Sequence, residues 1–215
     1  MTRTTGRRPY APRMAPEQRR EQLLDCVLRI IVRDGIHKVS MDSVAKEAGV
    51  TRPVVYGLFD DTDALLRASL DREERAVFAQ LADVLPVPGA GDPGDAAVTS
   101  FTGFLHAVAH APDRWRAVFM LVDSSTPAFR KRLEKGRRLI IGILEQLVSW
   151  AAEERGAPEV DVELVARALF ALMWEGGRLV LAEPAAFTPE RLTVFADRFI
   201  RLQLDQLANL QPASG

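Results

Sequence analysis

Apolar residues recur along this chain at intervals of three and four, and no stretch alternates apolar and polar positions as a half-buried strand does. The first run holds Leu23, Leu24, Val27, Leu28, Ile30 and Ile31. It predicts a helix that opens near Pro16, a residue suited to a first turn, and stops at Gly35. Ser40 offers a cap for a short second helix running through Lys46 to Ala48 and ended by Gly49. Thr51 offers a cap for a third, closed by Phe59, and Asp61 begins a long fourth with Leu65, Leu66, Leu70, Val77, Phe78, Leu81 and Leu85 along it. The segment LPVPGAGDPGD, residues 85–95, has three prolines and three glycines and reads as a linker. Helical periodicity then covers about 95–110, 113–123, 127–155, 161–183 and 189–209, separated by Pro112, Pro127, Gly156 with Pro158, and Pro184 with Pro189. The expected fold class is all-α, with about nine helices.

Composition narrows the class. The 215 residues are 47% hydrophobic and 27% charged, an ordinary globular balance with enough chain for a real core. No apolar run approaches the roughly 20 residues of a membrane span, and the basic N-terminus is followed by no apolar stretch of the kind a secretory signal has. A cytoplasmic protein that engages no membrane is expected. The single Cys26 excludes an internal disulfide and, among Leu23, Leu24, Val27 and Ile30, reads as a small buried hydrophobe.

The net charge of −1 hides an asymmetry. Residues 1–60 hold 11 Lys/Arg and 7 Asp/Glu, a net of +4, and the remainder holds 17 and 22, a net of −5. A basic front suits contact with a polyanion. Residues 1–15 read as a basic disordered arm. Arg7 and Arg8 could reach a DNA backbone or minor groove, and a solvated tail is the equal alternative.

Residues 41–60, MDSVAKEAGVTRPVVYGLFD, fit a helix-turn-helix. Its fifth place faces the second helix closely and must be small, which Ala45 satisfies. Its ninth takes a left-handed backbone, which Gly49 adopts without steric cost. The fifteenth and eighteenth, Val55 and Leu58, pack the second helix back onto the first. That second helix, 51–58, is the candidate reader of a major groove. The hydroxyl of Thr51 and the free N–H groups behind it suit a phosphate oxygen. Arg52 could donate to a guanine edge or a phosphate, Pro53 and Val54 could meet a thymine methyl, and the Tyr56 hydroxyl could reach a phosphate. Lys46, late in the first helix, adds a cation to this surface. A plain helical corner is the alternative for any one of these features.

These residues are similar to the N-terminal domain of the tetracycline-repressor (TetR) family of bacterial regulators over about 16–70. The stretch SMDSVAKEAGVTRPVVYGLFDDTDALLRASL carries the resemblance. It implies Ser40, Thr51 and Tyr56 as phosphate contacts and Arg52, Pro53 and Val54 near the bases. Leu58 stands where the family often has His or Tyr. Thr62 stands where it often has a phosphate-gripping Lys, flanked here by Asp60, Asp61 and Asp63, which repel DNA. The implied organisation is a helix-turn-helix domain over 16–62 and a ligand-binding and dimerisation domain over 63–210. The last two helices, 161–183 and 189–209, would pair with their mates in a homodimer. Ala168, Ala171, Gly176 and Gly177 would allow close approach.

The resemblance also implies an effector pocket among the middle helices, mostly apolar with a few polar groups. Its candidate lining is Phe101, Phe104, Trp115, Phe119, Met120, Leu144, Trp150, Met173 and Trp174, with Asp123, His106, His110 and Glu175 as polar candidates. Plain core is the alternative for each of these apolar residues, and a surface or locally satisfied group for each polar one. The run FRKRLEKGRR, 129–138, reads as a solvated face or as a landing patch for an anionic effector such as a phosphate-bearing acyl carrier. No nucleophile elbow, Walker loop, HExxH or paired cysteines occur, so no enzyme and no cofactor are expected. His37, His106 and His110 form no metal pattern, although the last two are four apart. The expected function is a DNA-binding repressor of a near-palindromic operator, released by a small effector. Its rivals are a regulator answering to a protein partner and an enzyme with a vestigial helix-turn-helix.

Overall fold

The computed structural model describes residues 14–86, 89, 91–121, 127–157 and 159–209. Arg7, Arg8 and Asp123 lie outside the described residues. Nine α-helices and no strand occur among them: α1 (Pro16–Asp34), α2 (Met41–Ala48), α3 (Arg52–Tyr56), α4 (Thr62–Ala82), α5 (Pro93–His110), α6 (Pro112–Leu121), α7 (Pro127–Glu154), α8 (Val162–Ala182) and α9 (Pro189–Asn209). The chain divides into two compact units between Asp71 and Arg72, and α4 runs through the division.

In the first unit, the apolar stripe of α1 (Leu23, Leu24, Val27, Ile30, Ile31) is buried with Cys26, Val44 and Val55. Desolvation pushes the Cys26 thiol above its ordinary range, so it remains an inert core group. Ser40 caps α2 by accepting from the Ser43 N–H at 3.1 Å, while the Ser43 hydroxyl accepts from the Ser40 N–H at 2.9 Å, a reciprocal capping box. Gly49 ends α2 at φ 64°, ψ 32°, and the next N–H, of Val50, returns to the Ala45 carbonyl at 3.0 Å. That turn aims the chain into α3. The expected 51–58 helix is shorter here, ending at Tyr56, because Gly57 and Leu58 already turn toward Phe59. Asp61 caps α4 by accepting from the Ala64 N–H at 2.6 Å.

In the second unit, α5, α7 and α8 share a core with Leu105, Val108 and Ala166 fully buried. Gly176 and Gly177 are buried there as well. A Cβ on Gly177 would meet Phe119 Cζ at 2.9 Å and Phe104 Cζ at 3.0 Å. The two glycines of α8 therefore admit the rings of α5 and α6 within the second unit, which corrects the expectation that they allow close approach to a partner's helix. Ala168 and Ala171 do face outward. Glu73 of α4, buried to 7% exposure, meets Arg114 of α6 at 2.7 Å and Arg72 at 2.6 Å.

Candidate functional site

In α3 only Val55 is buried. Arg52, Pro53, Val54 and Tyr56 stand outward, with Val54 38% and Tyr56 46% exposed. A five-residue helix is too short to hold itself, so its neighbours fix it. Val55 is fully buried, and Arg20 of α1 donates to the Leu58 carbonyl at 3.4 Å while its guanidinium lies 4.5 Å over the Phe59 ring. Thr51 is exposed at the N-cap position and its hydroxyl makes no capping bond. Lys46 is exposed in the last turn of α2. Ser40 is half-buried and its hydroxyl is engaged in the capping box. The Lys-less start of α4 is Thr62, with Asp60, Asp61 and Asp63 exposed around it.

Asp42, which no sequence pattern marks, borders this face. Its carboxylate meets Arg52 Nε at 2.9 Å. Arg52 also donates through Nη2 to the Tyr56 hydroxyl at 3.4 Å, with its guanidinium 5.6 Å from the ring centroid. Such an exposed pair contributes little to stability, yet it decides where the guanidinium points. The four-residue spacing of Arg52 and Tyr56 signals their contact on a helix. Nothing in the periodicity signals Asp42.

The second unit contains a cavity of about 150 Å³ lined by the end of α4 and by α5, α7, α8 and α9. Phe101, Phe104, Leu144, Met173 and Glu175 line it. Ser100 and Glu175 are its polar side chains. Trp115, Phe119, Trp174 and Met120 do not line it. Trp115 is core: its indole N–H donates to Gln80 Oε1 at 3.3 Å and it meets Phe104 edge-on at 5.2 Å. Phe119 and Trp174 pack edge-on at 4.6 Å, and Met120 is 45% exposed. Trp150 is buried outside this lining, and His106 and His110 are exposed. Leu192, Phe195, Phe199 and Ile200 of α9 also line it, although the sequence pattern points that helix to dimerisation alone. On α7, Lys131, Lys135 and Arg138 are exposed, while Arg132 pairs with Glu74 at 2.8 Å and Arg137 lies 5.2 Å over Phe170. Among the described residues, no group of three His, Cys, Asp or Glu side chains could hold a metal ion, and no helix is long and apolar enough to cross a membrane.

Residues 23–69, which span the Ser40 cap, the Gly49 turn and α3, match the family profile described as bacterial regulatory proteins, tetR family. That stretch is a TetR-family N-terminal domain. This is a family of transcriptional regulators and not of enzymes. The chain is 35% identical over 57 residues to the HTH-type nicotine-responsive transcriptional repressor HdnoR of Paenarthrobacter nicotinovorans, covering 26% of this chain and 29% of that protein. It is 36% identical over 70 residues to the HTH-type transcriptional activator FasR of Mycolicibacterium smegmatis, covering 33% and 32%. These curated relatives are thus matched over less than a third of their own length. Its fold resembles that of a TetR-like transcriptional regulator from Rhodococcus sp. RHA1, with a TM-score of 0.74 at 21% identity over 90% of this chain and 99% of that one.

Proposed function

We propose that this chain is a homodimeric DNA-binding transcriptional repressor. It reads a near-palindromic duplex site with α3 and releases it when a small, mostly apolar effector fills the cavity of the second unit. The observation that carries the DNA part is the outward set Arg52, Pro53, Val54 and Tyr56 on a helix whose one buried residue is Val55. Apolar groups beside a guanidinium and a phenol match the mixed edge of a major groove. Lys46 and Thr51 supply backbone contacts, and Arg7 and Arg8 of the arm extend them along the duplex. A two-fold dimer presents two such helices about 34–36 Å apart, one duplex turn. The effector part is supported by an apolar cavity with Ser100 and Glu175 placed to orient a ligand. Selection from a random duplex pool, followed by fluorescence anisotropy at fixed salt, tests the reading. It expects enrichment of an inverted repeat with half-sites one turn apart, and affinity that falls when effector is added. Binding of selected and random duplexes with equal affinity would sink it.

A further inference from the structure

The inner face of α7 is buried in the core of the second unit through Ile140, Ile141, Leu144, Leu147 and Val148. Its outer face is open. Lys131, Lys135, Arg138, Gly142, Gln146 and Glu153 recur there at helical spacing, and all but Gly142 are exposed. Leu139 stands beside this stripe at 52% exposure. A groove of about 800 Å³ runs along it, lined by Arg138, Leu139, Gly142, Glu145, Ser149 and Glu153 among others. Gly142 lies in the interior of a 28-residue helix, where glycine is less favourable than alanine. Nothing stands within 4 Å of where its Cβ would be, so no neighbour in this copy of the chain requires its bareness. Gly177, in contrast, makes room for two rings. A bare stretch of backbone on an outer face admits the close approach of another helix.

The charges along the stripe select its occupant. The N-terminal half carries Lys131, Lys135 and Arg138, with Glu134 about a quarter turn off the stripe. The C-terminal half carries Glu145 and Glu153. Among the described residues, none of these three cations and two carboxylates on the stripe has an ion pair. The acidic half repels a polyanion such as duplex DNA, and an acidic helix matches the basic half alone. A second α7 laid antiparallel matches both, because a two-fold axis beside Gly142 sets the basic half of each helix on the acidic half of the other. Lys131 and Glu153 each lie eleven residues from Gly142, and Arg138 and Glu145 lie four and three from it. Arg138 and Glu145 are seven apart and so share one edge of the stripe. The two-fold axis then places Arg138 opposite Glu145 of the second copy and Lys131 opposite Glu153 of the second copy. Each contact is made twice, with the two Gly142 backbones at the crossing. We infer that α7 is a self-association surface of this chain, an antiparallel helix pair centred on Gly142. It uses no residue of α8 or α9 and depends on neither DNA nor effector. One helix pair is small against the roughly 1,200–2,000 Å² of a stable interface, so the association is weak and rises with concentration. In the homodimeric repressor read above, each protomer then has two isologous interfaces, and dimers join into larger assemblies. Occupancy of one operator thereby raises the effective concentration of the chain at an adjacent one. Only that consequence rests on the repressor reading.

Sedimentation velocity of the full chain over a wide range of concentration tests the pairing. It is run at low salt, because exposed ion pairs are screened. Expected is a wild-type mass that doubles as concentration rises. Arg138→Glu sets a carboxylate against Glu145 of the second copy at two symmetric contacts and should weaken the doubling at least about tenfold. Glu145→Arg does the same with opposed guanidinium groups. Combined in one chain, the two substitutions restore opposite charges and should return the association to near the wild-type level. Gly142→Leu raises helix propensity, so the fold is kept; it also blocks the crossing, so the doubling is lost. Equal masses for the wild type and Arg138→Glu at every concentration overturn the inference. So does a charge-swapped chain as dissociated as either single variant, or a Gly142→Leu chain that associates like the wild type. Lower duplex affinity in Arg138→Glu with no change in mass overturns it in favour of a polyanion on α7. A wild-type dimer that Arg138→Glu turns into a monomer supports the pairing and places the dimer itself on α7.

Discussion

The two units leave apolar groups in water on different scales. In the first unit, Val54 and Tyr56 project from a five-residue helix, with Arg52 and Pro53 between or beside them. In the second, six large hydrophobics lie along two helices of 21 residues each. A small patch mixed with cationic and hydroxyl groups suits a polar, grooved partner, whereas a long apolar patch suits another protein surface. Each surface also depends on a different kind of support. The α3 surface stands on a core closed within residues 23–65, and the α8 and α9 surface stands on a core that gathers residues from 81 to 180.

The harshest way to break the comparison is to hollow one core at a time. Leu23 and Leu105 are both fully buried, one in each unit. Leu23→Ala and Leu105→Ala are each expected to cost about 2–5 kcal/mol, the usual range for removing a buried leucine. Thermal melts check the magnitude. Leu23→Ala should abolish selective duplex binding while the chain still sediments as a dimer; Leu105→Ala should weaken the dimer first. Equal loss of both properties in both variants would show that the two cores are one cooperative structure.

A finer cut lies within α3. Arg52→Ala should lower the preference for the selected site over a mismatched one about tenfold, with little change on random DNA. Asp42→Asn acts in the opposite sense on general affinity. It removes a negative charge beside the outward face of α3 and frees the guanidinium held at 2.9 Å. All duplexes should then bind more tightly, while discrimination falls. Tyr56→Phe keeps the ring under Arg52 but deletes the hydroxyl that accepts its 3.4 Å bond. It should weaken all duplexes alike and leave discrimination close to that of the wild type. Competition anisotropy against matched and mismatched duplexes separates the three patterns, and identical patterns would remove Arg52 from base reading.

Gly49 tests how the first unit aims α3. It sits at φ 64° with nothing within 4 Å of where a Cβ would stand, so strain and not crowding sets the cost of a side chain. Gly49→Ala is expected to destabilise by about 1–2 kcal/mol, and Gly49→Asn by less, because Asn enters this backbone region more readily. Chemical denaturation of the pair checks the order. Equal costs would mean that the turn relaxes away from its left-handed geometry.

The legibility of the two regions follows the same divide. The capping Ser40, the small Ala45, the left-handed Gly49 and the buried Val55 lie within sixteen residues, and each has a local physical reason to be what it is. Local pattern therefore places α3 and its outward side chains almost unaided, apart from its last turn, where Gly57 ends the helix early. The cavity has no such local code. Phe101 and Trp115 look alike as aromatic members of apolar stripes, yet one lines the cavity and the other packs behind Phe104 with its N–H on Gln80. The small pair Gly176 and Gly177 looks like an outer contact until the rings of Phe104 and Phe119 are seen filling the space above it. Which face of α8 turns inward is decided by α5, α6 and α7, elements elsewhere in the sequence, and periodicity carries no such information.

The smallest effect concerns the join of α1 to α2. Glu47 of α2 receives Arg33 Nη2 at 3.0 Å and Arg29 Nε at 3.2 Å, both from α1. The hydrogen bond from Arg33, followed by that from Arg29, holds the Glu47 carboxyl below the ordinary glutamate range. A carboxyl whose folded pKa is depressed contributes its stability in full above the unfolded value. That contribution shrinks as pH falls through the ordinary glutamate range and is gone below the lower, folded value. Glu47 is half-buried, but both arginines are exposed and the pairs are screened, so the effect is modest and salt-sensitive. Melting temperatures of the wild type and Glu47→Gln should therefore differ slightly at neutral pH and low salt, converge as the buffer is acidified, and differ less at high salt. A gap that is constant with pH would assign the Glu47 effect to packing of its stem and not to its charge. Because this pair joins two helices of the first unit alone, the same titration should leave dimer strength unaffected by the substitution.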